Sequence, residues 1–152
     1  PSERPLIIAT RMARRFGPSV ETQLRAALAV VGWDSAQVLM VDPTPDEAQI
    51  RKAIREAGTA HWAALLHFNQ VASFDPDAVL VSGALVDLAR QISGSGVPLA
   101  VASLGSPYVL APFAGASALL CAYSTADASL QATLRVLRGT AEAHGQLPVN
   151  VM

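Results

Sequence analysis

The sequence predicts a three-layer α/β/α sandwich built around a mostly parallel sheet of about six strands. Short apolar segments alternate with longer segments of helical period, and Gly or Pro stands at almost every junction. Most of the apolar segments lack polar alternation, which is typical of strands that are covered on both faces. Strands and helices that alternate in this way form parallel sheets with right-handed crossovers. Since 152 residues suit one folding unit, we expect a single domain over residues 1–152.

Six apolar segments are the predicted strands. They are bounded by turn residues, and each is too short to be an ordinary helix. They lie at residues 6–9, 37–41, 62–68, 98–103, 118–123 and 147–151.

The first predicted helix covers residues 20–31, where apolar side chains recur at spacings of three and four. Ser19 is its predicted N-cap and Gly32 its end. The second helix has Thr44 as predicted N-cap and Pro45 at its first position. Glu47 then completes a capping box, and the helix ends at Gly58. Three further helices follow: one opened by Asp75 and Pro76 and ended by Gly94, a short one after Ser106 and Pro107, and one from about Thr125 to Gly139.

The composition limits the classes of partner. The formal charge of -1 gives no broad field for nucleic acid or an anionic membrane surface, so neither is expected as a partner. No apolar run reaches the about 18 to 20 residues of a membrane span, and we expect a soluble protein. Charged residues make up only 15% of the chain, against about 25% in an ordinary domain. This predicts a surface that contacts a partner, and a chain that begins at Pro1 fits a piece of a longer protein.

Cysteine and histidine indicate no metal site and no cofactor. Cys121 has no second cysteine to pair with, and its apolar neighbours predict a buried, unreactive thiol. His61, His67 and His144 lack the spacings of zinc sites. His67 stands within an apolar strand, which favours a structural, hydrogen-bonded role over that of a general base.

Ligands of an open parallel sheet bind at the carboxyl ends of its strands, so the loops there hold the candidate sites. The loop after the first strand carries Arg11, Arg14 and Arg15 ahead of a helix, an arrangement suited to a phosphate or carboxylate. The alternative is a solvated or domain-facing basic loop. We favour the alternative, because no glycine-rich cradle accompanies the arginines.

The loop after the fourth strand reads SLGSPY and contains Ser103, Gly105, Ser106 and Tyr108. The order of strand, glycine turn and helix is that of a ligand loop. Neither serine stands in the G-x-S-x-G pattern of a hydrolase nucleophile, however. Because no acid/base pair stands out elsewhere either, the residues alone predict a fold and no catalytic residue.

Three segments carry a family resemblance. They read PLAVASLGSPYVLAPF at 98–113, ALLCAYSTADASLQATLRVLRG at 118–139 and GQLPVNV at 145–151. Together they resemble the C-terminal domain of glycoside hydrolase family 3, particularly that of two-domain bacterial β-N-acetylhexosaminidases. The first 97 residues agree with this family in the order and length of their elements only.

The resemblance implies a division of labour. In that family an N-terminal barrel supplies the aspartate nucleophile, and in the hexosaminidase branch also the histidine and aspartate acid/base dyad, so no catalytic residue is transferred to this chain. The parent enzyme would hydrolyse terminal β-linked N-acetylglucosamine with retention of configuration, without a cofactor. This chain would pack against the barrel as its partner. Ser103, Gly105, Ser106 and Tyr108 are the candidates for contact with carbohydrate at the rim. The compartment stays open between the bacterial cytoplasm and export with the parent.

Other interpretations remain open. Some branches of the family place an acid/base glutamate on the C-terminal domain, and Glu142 has no structural assignment here. Its predicted position, at the end of the sheet opposite the crevice, argues against that role. One alternative is a free-standing module that binds a small molecule or an anion through the arginine loop and the SLGSPY loop. An oligomerisation domain is another.

Overall fold

The computed structural model describes residues 4–14, 16–70 and 80–150. Its centre is a parallel five-stranded sheet with the strand order β2-β1-β3-β4-β5. The elements in chain order are β1 (Leu6–Thr10), α1 (Val20–Val30), β2 (Gln37–Val41), α2 (Glu47–Ala57), β3 (Ala63–Phe68), α3 (Gly83–Gly94), β4 (Leu99–Leu104), a 3₁₀ helix (Pro107–Phe113), β5 (Ala118–Cys121) and α4 (Asp127–Arg138).

Both faces of the sheet are covered. Ile8 and the side chains on its face pack with α2, α3 and the 3₁₀ helix, whereas Ile7 and its face pack with α1 and α4. Every residue of β1 and β3 is buried. The prediction of an α/β fold with a parallel sheet, drawn from the missing polar alternation, is confirmed.

The prediction of about six strands is wrong, because the sheet formed by the described residues has five. Residues 142–150 contain no strand, and Val151 lies outside the described residues. The segment stays largely in solvent: Leu147 is 38% exposed. Pro148 also has no N–H to give to a sheet ladder. An apolar pattern predicts a strand only where the segment can be buried.

Capping side chains set the helix starts. Ser19 caps α1 as predicted, its Oγ accepting from the N–H of Thr22 at 3.2 Å. The cap of α2 is Asp46 instead of Thr44, since Asp46 Oδ1 accepts from the N–H of Gln49 at 2.8 Å. The second helix therefore begins two residues later than the capping box predicted.

The third helix also begins later than predicted. Ser82 caps α3, accepting from the N–H of Leu85 at 3.1 Å, and residues 80–82 are not helical. Asp75 and Pro76, the predicted start, lie outside the described residues. The short helix after Ser106 is present as the 3₁₀ helix, and α4 ends at Gly139 as predicted. Within 4–14, 16–70 and 80–150, no helix has both the length and the apolar character to cross a membrane.

Candidate functional site

The carboxyl ends of the strands form the edge at which a ligand would bind. The strand order reverses between β1 and β3, since the chain moves from β1 outward to β2 and then returns to the other side of β1. Open α/β sheets bind ligands in the crevice at such a reversal. The loops that follow β1, β3, β4 and β5 meet at this edge.

A row of polar side chains crosses the sheet at this edge. His67 pairs in register with Ser103, and Ser103 with Cys121. On the other side of His67, its Nδ1 lies 3.2 Å from Thr10 Oγ1. The same face is apolar in the preceding register positions, with Leu65 and its neighbours. The core thus changes from apolar to polar just before the crevice.

His67 is a neutral, structural member of this row. Its side chain is buried at 5% exposure, and desolvation lowers its pKa from 6.5 to about 4. The Thr10 hydroxyl beside it accepts a hydrogen bond from the N–H of Phe68 at 2.9 Å, which ties β1 to the end of β3. His67 Nε2 has no hydrogen-bond partner among the residues that the structure describes. The predicted hydrogen bond of His67 is present.

Asn69 fastens the loop after β4. Its Nδ2 donates to Ser103 Oγ at 2.9 Å and to the carbonyl of His67 at 3.1 Å, and its Oδ1 accepts from the N–H of Ser106 at 2.7 Å. Ser103 Oγ in turn donates to the carbonyl of Ser106 at 2.6 Å. Asn69 is not among the predicted site residues. An amide placed directly after a buried strand, where a loop approaches, is the signal that would have found it.

Gly105 permits the close approach on which this network depends. Its φ is +156°, and a Cβ atom at this position would lie 2.1 Å from the carbonyl oxygen of Asn69. Only glycine fits there without a shift of backbone. Cys121, at the end of the next strand, places its Sγ 3.6 Å from the Gly105 carbonyl. Burial raises the pKa of this partly buried thiol, and a hydrogen bond with the Tyr123 backbone, which lowers the pKa, has a smaller effect. The thiol therefore stays protonated at neutral pH.

A cavity of about 500 Å³ opens beside this loop. Tyr108 and Tyr123 both line it, and they are 61% and 51% exposed. Tyr123 has a φ of +58°, and it is the one non-glycine residue with positive φ in the described part of the chain. The other lining residues are uncharged: Asn69, Gln70, Gly105, Ser106, Pro107, Ser124 and Thr125.

The four predicted rim residues have different positions. Ser106 and Tyr108 line the cavity, and Gly105 lines it with its backbone. Ser103 is fully buried, and both hydrogen bonds of its hydroxyl are made within the protein.

The arginines of the loop after β1 have partners within the protein. Arg11 forms an exposed ion pair with Asp42 at 3.1 Å. A hydrogen bond from Gln49 and the nearby Arg11 lower the pKa of Asp42. Arg14 donates to Gln23 Oε1 at 2.6 Å and to the carbonyl of Pro18 at 3.1 Å. Arg15 lies outside the described residues.

Arg14 also lines a second cavity, of about 510 Å³. This cavity shares Gln70 and Thr125 with the first, so the two are parts of one crevice. Gln23 links α1 to the start of α4 beside this crevice. Its Nε2 donates to the carbonyl of Thr125 at 2.8 Å and to Asp127 Oδ1 at 2.7 Å.

Glu142 lies away from the crevice. It follows α4, which begins next to Thr125 at the crevice and runs toward the opposite end of the sheet. Its carboxylate is exposed and lies 3.4 Å from the ring of His144.

Comparison with known proteins gives a match to solved structures. No protein-family model and no curated protein match the sequence. The structure of a glycoside hydrolase family 3 β-N-acetylglucosaminidase from Paenibacillus sp. str. FPU-7 is similar over 97% of this chain, with a TM-score of 0.69 and 20% identity. A fungal multi-domain family 3 β-N-acetylglucosaminidase is similar over 99% of the chain, with a TM-score of 0.65 and 18% identity. The β-glucoside phosphorylase BglX is similar over 97%, with a TM-score of 0.61 and 16% identity.

The chain spans only a part of each of these enzymes. The match covers 27% of the Paenibacillus chain, 16% of the fungal chain and 26% of the phosphorylase chain. At this level of identity the likeness concerns the fold. The resemblance that the motifs at 98–151 indicated is confirmed at that level: this chain has the fold of one portion of glycoside hydrolase family 3 enzymes.

Proposed function

We propose that this chain is the noncatalytic C-terminal domain of a family 3 glycoside hydrolase that removes terminal β-linked N-acetylhexosamine. The observation that carries the proposal is the match to two β-N-acetylglucosaminidases over nearly all of this chain but only 27% and 16% of theirs. The motifs at 98–151 support the same assignment. Residues 1–152 then form one domain, and its partner is the catalytic barrel of the same parent protein.

The chemistry of the crevice supports a noncatalytic role. Retaining hydrolysis requires a nucleophile and an acid/base group about 5 Å apart. The described residues that line the first cavity are uncharged. His67 is buried and, with a pKa of about 4, is uncharged at neutral pH, so it cannot act there as a general acid. The described residues that line this cavity therefore supply neither of the two groups.

The loop after β4 is the proposed rim of the sugar site. Ser106 and Tyr108 would contact the carbohydrate, because both line the cavity. Ser103 and Gly105 would act indirectly. The hydroxyl of Ser103 holds the carbonyl of Ser106, and Gly105 lets the turn approach Asn69.

The test compares three proteins: the 152-residue chain, the parent with its barrel, and the barrel alone. We expect the parent to release nitrophenol from nitrophenyl N-acetyl-β-D-glucosaminide. The 152-residue chain should release none, and the barrel alone should lose activity or unfold at lower temperature. Turnover by the 152-residue chain would contradict the noncatalytic role. A parent that is inactive on this substrate but cleaves another β-glycoside would contradict the hexosamine specificity.

A second candidate function is self-association, which the edge of the sheet favours. β5 is the last strand in the order, and no strand pairs with its outer edge among the residues that the structure describes. Leu119 and Leu120 are only partly buried there. Open strand edges are sites of pairing between chains. Light scattering at rising concentration tests this alternative, and a monomer at all concentrations would exclude it.

A further inference from the structure

A third cavity, of about 440 Å³, lies between α3 and the end of the 3₁₀ helix. The start of α3 is at the carboxyl end of the sheet, because the hydroxyl of Ser82 donates to the carbonyl of Pro43 behind β2, and the helix runs back toward the amino end. The cavity adjoins the later part of α3 and Ala116, two residues before β5. It therefore lies toward the amino ends of the strands, and its described lining residues are none of those that line the crevice.

One wall of this cavity is a stripe on α3 that changes from apolar to polar. Val86, Ala89, Arg90 and Ser93 recur at spacings of three and four, so they share one face of the helix. Val86 and Ala89 are buried, whereas Arg90 is exposed and Ser93 is half-buried. The wall thus offers an apolar surface at one end, and a guanidinium with a hydroxyl at the other.

The opposite wall is apolar and contains one aromatic ring. Phe113 is almost fully buried, and Pro112 and Ala116 line the cavity beside it. A Cβ atom added at Gly115 would meet no atom within 4 Å, so space remains along this wall. Apolar surface in contact with water gains free energy when a ligand covers it. An apolar cavity of this size with a few polar groups is typical of small-molecule sites.

The charge at this cavity selects the class of ligand. Arg90 is the one charged side chain among the described residues that line it. Its ion pair with Asp87 is exposed and long, with 3.5 Å between Nη1 and Oδ1, and such surface pairs contribute little, so another carboxylate can compete for the guanidinium. The last carbonyls of α3, which would repel an anion, accept hydrogen bonds from the N–H groups of Ser95 and Gly96. A cationic ligand would be repelled by Arg90.

We propose that the cavity between α3 and the 3₁₀ helix is a binding site for a small amphipathic carboxylate, such as a medium-chain fatty acid. Arg90 and Ser93 would bind the carboxylate, and the alkyl chain would lie against Val86, Ala89 and Phe113. The inference does not depend on the proposed function, since it uses no residue of the crevice. A ligand bound there contacts both α3 and the 3₁₀ helix, and so stabilises the folded chain.

The first experiment titrates the 152-residue chain with octanoate while the methyl resonances of Val86 and Ala89 are followed by NMR. We expect both residues to shift with one saturable binding curve. Acetate and octylammonium are the comparison ligands, because acetate lacks the apolar chain and octylammonium carries the opposite charge on a chain of the same length. Both should bind at least about tenfold more weakly, since each buried CH₂ group contributes a factor of about four in affinity and the ammonium faces a guanidinium.

Three variants test the role of Arg90. Arg90→Ala should weaken octanoate binding at least about tenfold, as the loss of a charge-assisted hydrogen bond does. Asp87→Asn removes the competing carboxylate and should strengthen binding about two- to fivefold. Arg25→Ala is the control, because it removes another exposed, ion-paired arginine from α1, on the opposite face of the sheet, and should leave binding unchanged. All three positions are exposed, and circular dichroism verifies that each variant is folded.

Three results would overturn the proposal. The first is a set of Val86 and Ala89 methyl resonances that do not move at millimolar octanoate. The second is equal affinity for octanoate and octylammonium, or full binding by Arg90→Ala, because the site would then not select a carboxylate. The third is a dimer of the unliganded chain in light scattering whose dilution shifts the same methyl resonances, because a second copy of the chain would then cover the cavity.

Discussion

Asn69 Oδ1 accepts the backbone N–H of Ser106 at 2.7 Å, and this hydrogen bond joins the loop after β3 to the loop after β4. The same amide donates to Ser103 Oγ, whose hydroxyl holds the carbonyl of Ser106. The backbone N–H and carbonyl of Ser106 are therefore both hydrogen bonded to buried side chains, those of Asn69 and Ser103. The conformation of the loop is set before any ligand arrives.

Replacement of Asn69 should destabilise the domain. Asn69→Ala leaves the buried N–H of Ser106 without a partner, which costs about 1 to 3 kcal/mol, and removes the hydrogen bond that Ser103 Oγ accepts, which costs about 1 kcal/mol more. We expect a loss of about 2 to 4 kcal/mol in the free energy of unfolding, measured by urea denaturation. The control is Gln91→Ala, which removes an exposed amide from α3 and should change stability by less than about 0.5 kcal/mol. Equal effects of the two variants would contradict the role of Asn69.

Gly105→Ala tests the close approach directly. The added Cβ would lie 2.1 Å from the carbonyl oxygen of Asn69, and a φ of +156° is itself strained for alanine. Because this oxygen belongs to the backbone, the loop must move, and we expect the free energy of unfolding to fall by about 3 kcal/mol or more.

Gly83→Ala is the matched control, since nothing lies within 4 Å of its added Cβ and the residue is helical. It should stabilise the chain by about 0.4 to 1 kcal/mol. Thermal unfolding of both variants makes the comparison. A Gly105→Ala variant as stable as the unmodified 152-residue chain would show that the turn is not constrained by Asn69.

The central sheet and one helix end could be predicted from the sequence, whereas another helix start and the number of strands could not. The buried strands and the parallel sheet follow from uninterrupted apolar segments, and the end of α4 follows from Gly139, whose φ is +79°. The start of α2 was misplaced because Thr44 and Asp46 both have capping side chains, and only the packed structure decides between them. The sixth strand was inferred from an apolar pattern at 147–151, which does not report whether a sheet edge receives the segment.

The candidate site was predicted in outline only. The position of the SLGSPY loop at the carboxyl end of β4 followed from the strand order, and Ser106 and Tyr108 line the cavity there. Asn69 was missed because its partners Ser103 and Ser106 lie 34 and 37 positions away along the chain. Tyr123 was missed because its local sequence does not indicate a left-handed backbone. Long-range hydrogen bonds and a left-handed backbone leave no short motif in a single sequence.

The burial of His67 predicts a pH dependence of stability. Its pKa is about 4 in the folded chain and near 6.5 when exposed, so the unfolded chain binds a proton that the folded chain does not in this interval. The neutral His67 ring therefore contributes about 3 kcal/mol to the free energy of unfolding. This stability is fully present above pH 6.5 and is lost as the pH falls toward 4. Urea denaturation between pH 4 and 7.5 should show this loss.

Matched histidine variants identify the source of that dependence. His144→Gln and His61→Gln remove exposed rings and should leave the pH dependence unchanged. NMR titration of the His67 ring in the folded chain should give a pKa well below 6.5. A His67 ring that titrates near 6.5 in the folded chain would refute the prediction.

Arg14 is expected to act as a structural link and not as an anion site. Its guanidinium donates to Gln23 at 2.6 Å, and Gln23 donates to the start of α4 at Thr125 and Asp127. Arg14→Ala therefore breaks a chain of contacts between the loop after β1, α1 and α4, and should lower stability by about 1 to 2 kcal/mol. Arg11→Ala removes only an exposed ion pair with Asp42 and should cost less than about 1 kcal/mol.

The decisive measurement is thermal unfolding with and without added phosphate at constant ionic strength. We expect phosphate not to raise the unfolding temperature of the unmodified chain or of either variant, because Arg11 is paired with Asp42 and Arg14 is hydrogen bonded to Gln23 and to the carbonyl of Pro18. A phosphate-dependent rise that disappears in Arg14→Ala would instead establish the anion-binding module.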